Sequence, residues 1–165
     1  MNRMQEIRLE KVTLNMGCAG DKVKIEKAEK FLNILTNQKP KITLSPKRST
    51  FGLAKGKPTG VKVTLRGKRA EKILQDTLKA VDYKLKKNQI NDGNFSFGIK
   101  ESIDLPNIKY DPEIGIVGFD VCVTLERPGY RVKRRREESK IGKKHLITKE
   151  QTIEWLKKMG VEFND

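Results

Sequence analysis

The 165-residue chain predicts an α+β fold: a mostly antiparallel sheet with helices packed on one face, an open basic second face, and long basic loops. Three observations carry this expectation. Strand-like and helix-like apolar periodicities alternate along the sequence. The best strand patterns are apolar on one side only, as in an antiparallel sheet covered on a single face. The positive charge is gathered into two blocks rather than spread over the surface.

The elements follow in order. Val12, Leu14 and Met16 alternate with Lys11, Thr13 and Asn15, which is a two-faced strand. Asp21 is placed to cap a helix whose apolar positions Ile25, Ala28, Phe31, Leu32 and Leu35 recur at helical spacing, and Asn37 suits its left-handed terminator. Ile42 and Leu44 mark a short strand. Residues 45–60 form a loop punctuated by Gly and Pro and carrying four basic side chains. Val61, Val63 and Leu65 then alternate with Lys62, Thr64 and Arg66, a second two-faced strand. After Gly67 a helical stripe runs through Ala70, Ile73, Leu74, Thr77, Leu78, Val81 and Leu85. Asn91-Asp92-Gly93 is a hairpin turn leading into Phe95, Phe97 and Ile99 at period two. Residues 103–118 are irregular, and Val121, Val123 and Leu125 form a further strand. A basic extension over 127–147 precedes a last helix, for which Thr148 and Gln151 form a capping box, running through Met159. No internal repeat is present, and the length fits one domain over residues 1–165.

Charge sets the partner class. From Lys30 to Ala70 there is no Asp or Glu but there are eleven Lys or Arg, and Arg127 to Lys144 carries a further net +7. The rest of the chain is slightly acidic, since the formal net charge is +15. One-sided charge of this kind costs self-repulsion in the folded state and fits a polyanionic partner. The open face of the two best strands would present Lys11, Thr13, Asn15, Lys62, Thr64 and Arg66, groups suited to phosphates and 2′-hydroxyls. No apolar run approaches the ~20 residues of a membrane span, and the opening MNRMQEIRLEK has no apolar core of a secretion signal, so a cytoplasmic protein without a membrane partner is expected.

Motifs for chemistry fail on inspection. Gly52 to Pro58 has one residue too few between its glycines for a phosphate-binding loop, and Pro58 stands where a magnesium-holding hydroxyl is needed. His145 has no neighbouring nucleophile or orienting carboxylate, and reads as solvated or facing RNA. Asp104, Asp111 and Glu113 lack the turn of a calcium loop. Cys18 and Cys122 are read as small buried residues, too few with one His for zinc. Phe95 and Phe97 share a face with Ile99 and read as core rather than as stacking platforms. No enzyme activity, cofactor or metal is expected.

Four segments resemble a known family: Lys11-Val-Thr-Leu-Asn-Met-Gly17, Gln38-Lys-Pro-Lys-Ile-Thr43, Pro58-Thr-Gly-Val-Lys-Val-Thr-Leu-Arg-Gly67 and Gly93-Asn-Phe-Ser-Phe-Gly-Ile-Lys-Glu101. They stand in the order of large-subunit ribosomal protein five. Leu125 through His145 is similar to the archaeal and eukaryotic branch of that family. The resemblance implies a structural protein that binds 5S rRNA, anchors it in the central protuberance of the large subunit, and touches P-site tRNA through a basic loop. It implies 5S rRNA contacts at Lys11, Asn15, Gln38 and Thr64, and Lys39 belongs to the same element as Gln38. Alternation alone adds Thr13, Lys62 and Arg66. It implies a tRNA-facing loop bearing Lys47, Arg48, Ser49, Phe51, Lys55 and Lys57. Further contacts to large-subunit rRNA are expected from Arg131, Lys133, Arg134, Arg135, Arg136, Lys143 and Lys144. The implied partners include neighbouring ribosomal proteins, among them a small-subunit protein across an intersubunit bridge. The rival reading is a free-standing RNA-binding regulatory module, which would need stacking aromatics on the open face.

Overall fold

The computed structural model describes residues 2–164 other than Ser49, Phe51, Asn107, Lys109 and Glu138. Its main elements are β1 (Arg8–Gly17), α1 (Lys22–Thr36), β2 (Lys41–Leu44), β3 (Pro58–Leu65), α2 (Lys68–Ala80), β4 (Lys84–Lys86), β5 (Ile90–Asn91), β6 (Asn94–Ile99), β7 (Phe119–Glu126), α3 (Lys149–Lys158) and β8 (Glu162–Asn164). Six strands form one sheet in the order β2-β3-β1-β7-β6-β5, antiparallel throughout. β1 is a central strand, bonded to β3 on one side and to β7 on the other.

One face of this sheet holds the core. Val12 and Leu14 of β1, Val61 and Leu65 of β3, and Val121 and Val123 of β7 are at most 1% exposed. α1 and α2 cover them. Asp21 caps α1, its carboxylate accepting the Val23 N–H at 3.0 Å, and Asn37 ends it in the left-handed conformation at φ 49°. Phe31 of α1 packs on Phe119 of β7 with ring centroids 5.6 Å apart. In α2 the buried Thr77 hydroxyl donates to the carbonyls of Ile73 and Leu74, at 2.8 and 3.0 Å, so the apolar stripe tolerates it.

Two boundaries differ from the sequence expectation. The stripe that runs on to Leu85 is not one helix. α2 stops at Ala80, Asp82 and Tyr83 take positive φ, and Leu85 is buried from β4 instead. β4 pairs in parallel with β8, which the sequence pattern did not announce because a three-residue strand has too short a period to register. The loop expected over 45–60 is shorter, because β3 begins at Pro58. The Ser45 N–H donates to the Lys57 carbonyl at 2.9 Å and closes the loop at its base.

The Asp92-Gly93 turn joins β5 to β6 and also seats α3. The Asp92 carboxylate accepts the Lys149 N–H at 2.8 Å, and the Gly93 N–H donates to the Thr152 hydroxyl at 3.1 Å. The expected capping box between Thr148 and Gln151 is present.

Gly60 faces β1 so closely that a Cβ there would collide with the Met16 carbonyl oxygen. Gly60→Ala is therefore expected to lower stability by about 2 kcal/mol through the shift it forces on the β1–β3 pairing. Urea unfolding checks this, and a change under 0.5 kcal/mol would refute the tight approach.

Candidate nucleic-acid interface

Directly opposed residues in an antiparallel sheet share a face, so the register lays out the face that α1 and α2 leave open. One row crosses it as Lys41, Lys62, Asn15, Asp120 and Gly98. The next runs Thr64, Thr13, Cys122 and Ser96, and a third holds Lys11, Thr124 and Asn94. Lys11, Thr13, Asn15, Lys62 and Thr64 thus stand together, as alternation requires, and Arg66 lies exposed just beyond the end of β3. Gln38 and Lys39 do not join these rows. They precede β2 at the sheet edge, and Lys39 lines a shallow groove with Glu26, Glu29 and Asn33 of α1.

Several open-face groups were not named from sequence: Lys41, Ser96, Asp120, Cys122 and Thr124. The signal was available, since Val121, Val123 and Leu125 point inward and their neighbours must point outward. Cys122 corrects the expectation of two buried cysteines. Cys18 is buried, but Cys122 is exposed on the open face. Burial first, and then the neighbouring Asp120 carboxylate, push the Cys122 thiol above its ordinary range.

The two basic blocks sit at opposite ends of the sheet. The loop 45–57 leaves β2 near the end of β1 at Gly17, whereas the extension follows Glu126, which pairs with Arg8 at the start of β1. Lys47, Arg48, Lys55 and Lys57 are exposed on the loop, and Ser49 and Phe51 lie outside the described residues. Leu53 folds back onto Gly20.

The extension is fastened by a polar hub. Arg127 is 7% exposed, and its guanidinium donates to the His145 carbonyl at 3.2 Å and to Gln151 Oε1 at 2.9 Å. The Tyr130 hydroxyl donates to the same His145 carbonyl at 3.1 Å and accepts the Ile147 N–H at 3.0 Å. His145 Nε2 donates to the Pro128 carbonyl at 2.9 Å, and the ring meets Tyr130 edge-on. His145 is therefore a structural tie, which corrects its reading as a solvated or RNA-facing group.

β1 carries a bulge at Glu10, between Leu9 and Lys11. The Glu10 carboxylate holds Arg134 at 3.0 Å, and Arg134 also pairs with Glu126. Arg134 thus clamps the extension to the sheet. Arg131, Lys133, Arg135, Arg136, Lys143 and Lys144 are exposed. Lys11, Lys133, Arg134 and Lys143 line a cleft of about 650 Å³ where the extension meets the sheet.

These features define a class: a structural α+β scaffold with one open, polar sheet face and cations gathered at both of its ends. The chain belongs to the ribosomal protein L5 family, whose N-terminal model matches residues 2–52 and whose C-terminal model matches residues 58–163. It is 47% identical to large ribosomal subunit protein uL5 of Archaeoglobus fulgidus over 97% of this chain and 91% of that protein. Against the uL5 of Nanoarchaeum equitans the identity is 48%, over 96% of each chain. Against that of Methanosphaera stadtmanae it is 42%, over 95% of each. The family is structural and not enzymatic, and the chain is accordingly a constituent of the large ribosomal subunit in the cytoplasm.

Replacing Arg127 by Met removes both guanidinium bonds and is expected to cost about 2 kcal/mol. It should also speed tryptic cleavage at Lys143 and Lys144 several-fold. Equal cleavage rates in both proteins would show that the hub does not order the extension.

Proposed function

We propose that this chain binds 5S rRNA across the open face of the sheet, anchoring it in the central protuberance, and that the loop 45–57 reaches P-site tRNA. The observation that carries the reading is the juxtaposition of Lys41, Lys62, Asn15, Thr13 and Thr64 on the face that α1 and α2 leave open, with a basic block at each end. Lys and Arg neutralise phosphates and release counterions, which supplies affinity without sequence preference. Asn15, Thr13 and Thr64 add hydrogen bonds to sugars and base edges, which fix register. Gln38 and Lys39 would extend the contact past the sheet edge. On the loop, Lys47, Arg48, Lys55 and Lys57 would serve tRNA. The exposed cations of the extension would meet large-subunit rRNA. A bridge to a small-subunit protein completes the proposed set of partners.

The rival regulatory module is disfavoured, because Phe95 and Phe97 are only 2% and 3% exposed and offer no ring for base stacking.

Cys122 provides a direct test. It sits in the middle of the open face while Cys18 is buried, so alkylation reports on one site. Because the Cys122 thiol is pushed up, the reaction is run at alkaline pH, where the thiolate fraction rises. Bound 5S rRNA is expected to slow Cys122 alkylation at least tenfold, and an unrelated RNA of equal length to slow it far less. Equal protection by both would sink the assignment of the face.

Lys62→Ala and Arg66→Ala should each weaken 5S rRNA binding and lower the salt slope by about one unit. Shortening the loop between Pro46 and Lys55 should spare 5S rRNA binding and weaken retention of P-site tRNA. Loss of 5S rRNA binding by that variant would contradict the separation of roles.

A further inference from the structure

The open face is not uniformly basic. Toward β2 and β3 it presents Lys41 and Lys62, but over β1, β7 and β6 it becomes a groove lined by Thr13, Asn15, Gln89, Ser96, Asp120 and Cys122. That groove contains no cation and one carboxylate. Asp120 is exposed, and its carboxylate makes no hydrogen bond or ion pair among the described residues. The nearest lysine in its row, Lys62, lies two strands away, roughly 10 Å at ordinary strand spacing. The position across from it is Gly98, where even a Cβ would come within 3.4 Å of Asp120 Oδ1. The neighbouring strand therefore leaves the carboxylate uncovered.

A bare carboxylate repels phosphate, so this part of the face is unsuited to the RNA backbone. It is suited to a base that offers donors. A carboxylate has two acceptor oxygens and no donor. On the Watson–Crick edge, guanine alone sets two donors side by side, N1–H and N2–H. Cytosine and adenine place a ring-nitrogen acceptor beside their single amino group, and uracil flanks its one N–H with two carbonyls.

We propose that Asp120 reads the Watson–Crick edge of an unpaired guanine of the bound rRNA, with Asn15, Thr13 and Ser96 taking its sugar and neighbouring polar atoms. The proposal rests on the reading of this face as the 5S rRNA site. It divides that site into a phosphate-holding half over β2 and β3 and a base-reading half over β1, β7 and β6.

The test is analogue interference on the full-length chain. 5S rRNA carrying about one inosine per molecule in place of guanosine is bound to wild-type protein and to Asp120→Asn, and the bound fractions are mapped. Inosine lacks the N2 amino group. At one or a few positions inosine should be depleted from the wild-type-bound fraction but not from the Asp120→Asn-bound fraction. Asp120→Asn should itself weaken 5S rRNA binding about tenfold, the usual scale for one bidentate base contact, with an unchanged salt slope. Gly98→Val, which keeps the carboxylate but covers it, should reproduce that loss and guards against a folding defect peculiar to position 120.

Identical interference maps for wild type and Asp120→Asn would overturn the guanine assignment alone, as would tighter binding of every RNA by Asp120→Asn. A wild-type protein that binds 5S rRNA no better than an unrelated RNA would overturn both this proposal and the reading it rests on.

Discussion

Everything positioned on the open face depends on the clamping of β1 between β3 and β7. Side chains along a strand alternate between faces, so a slip of one residue would carry Val12, Leu14 and Met16 out and Lys11, Thr13 and Asn15 in. Pairing on both edges forbids that slip, because β3 and β7 would each have to break their own registers. Burial supplies the driving force, since Leu14 and Val12 are fully excluded from solvent beneath α1 and α2. The polar face inherits its order from the apolar one.

This arrangement explains why the charge is divided as it is. Cations packed side by side on a single sheet would repel across strand spacings of about 5 Å. The chain instead places four of its cations in the loop 45–57 and nine in the extension 127–147, at opposite ends of β1. The extension still needs a fixed position, and buried polar bonds give it one. Arg127 and Tyr130 both donate to the His145 carbonyl and the His145 ring donates to that of Pro128, while the Glu10 bulge aims a carboxylate at Arg134. Neutralising Arg134 in this way gives up one cation to hold seven other exposed ones in place.

How far the sequence could be read follows from period length. Long alternations such as Val61 to Leu65 and long stripes such as Ile25 to Leu35 gave the sheet face and the helices directly. The Asn91-Asp92-Gly93 turn and the Thr148–Gln151 box were equally legible, because each rests on local backbone chemistry. Leu85 misled because one apolar residue in phase with α2 cannot announce the left-handed pair Asp82 and Tyr83 before it. His145 misled because its partners, Pro128 and Tyr130, are brought to it only by the fold of the extension. Asp120 and Cys122 were legible from their alternation with Val121 and Val123, but the apolar neighbours of Cys122 suggested burial.

The acidic and neutral members of this face let it separate affinity from selectivity. Phosphate contacts are long-ranged, salt-dependent and blind to sequence, so a uniformly basic face would hold many RNAs. A neutral strip between basic regions weakens that indiscriminate attraction where the backbone would otherwise settle. A carboxylate within it disfavours any register that lays a phosphate there. The cost of misplacement comes from like-charge repulsion, and the gain from correct placement needs donors on the RNA itself. On the β1–β7–β6 half of this sheet, discrimination can therefore arise as much from what Asp120 rejects as from what it accepts.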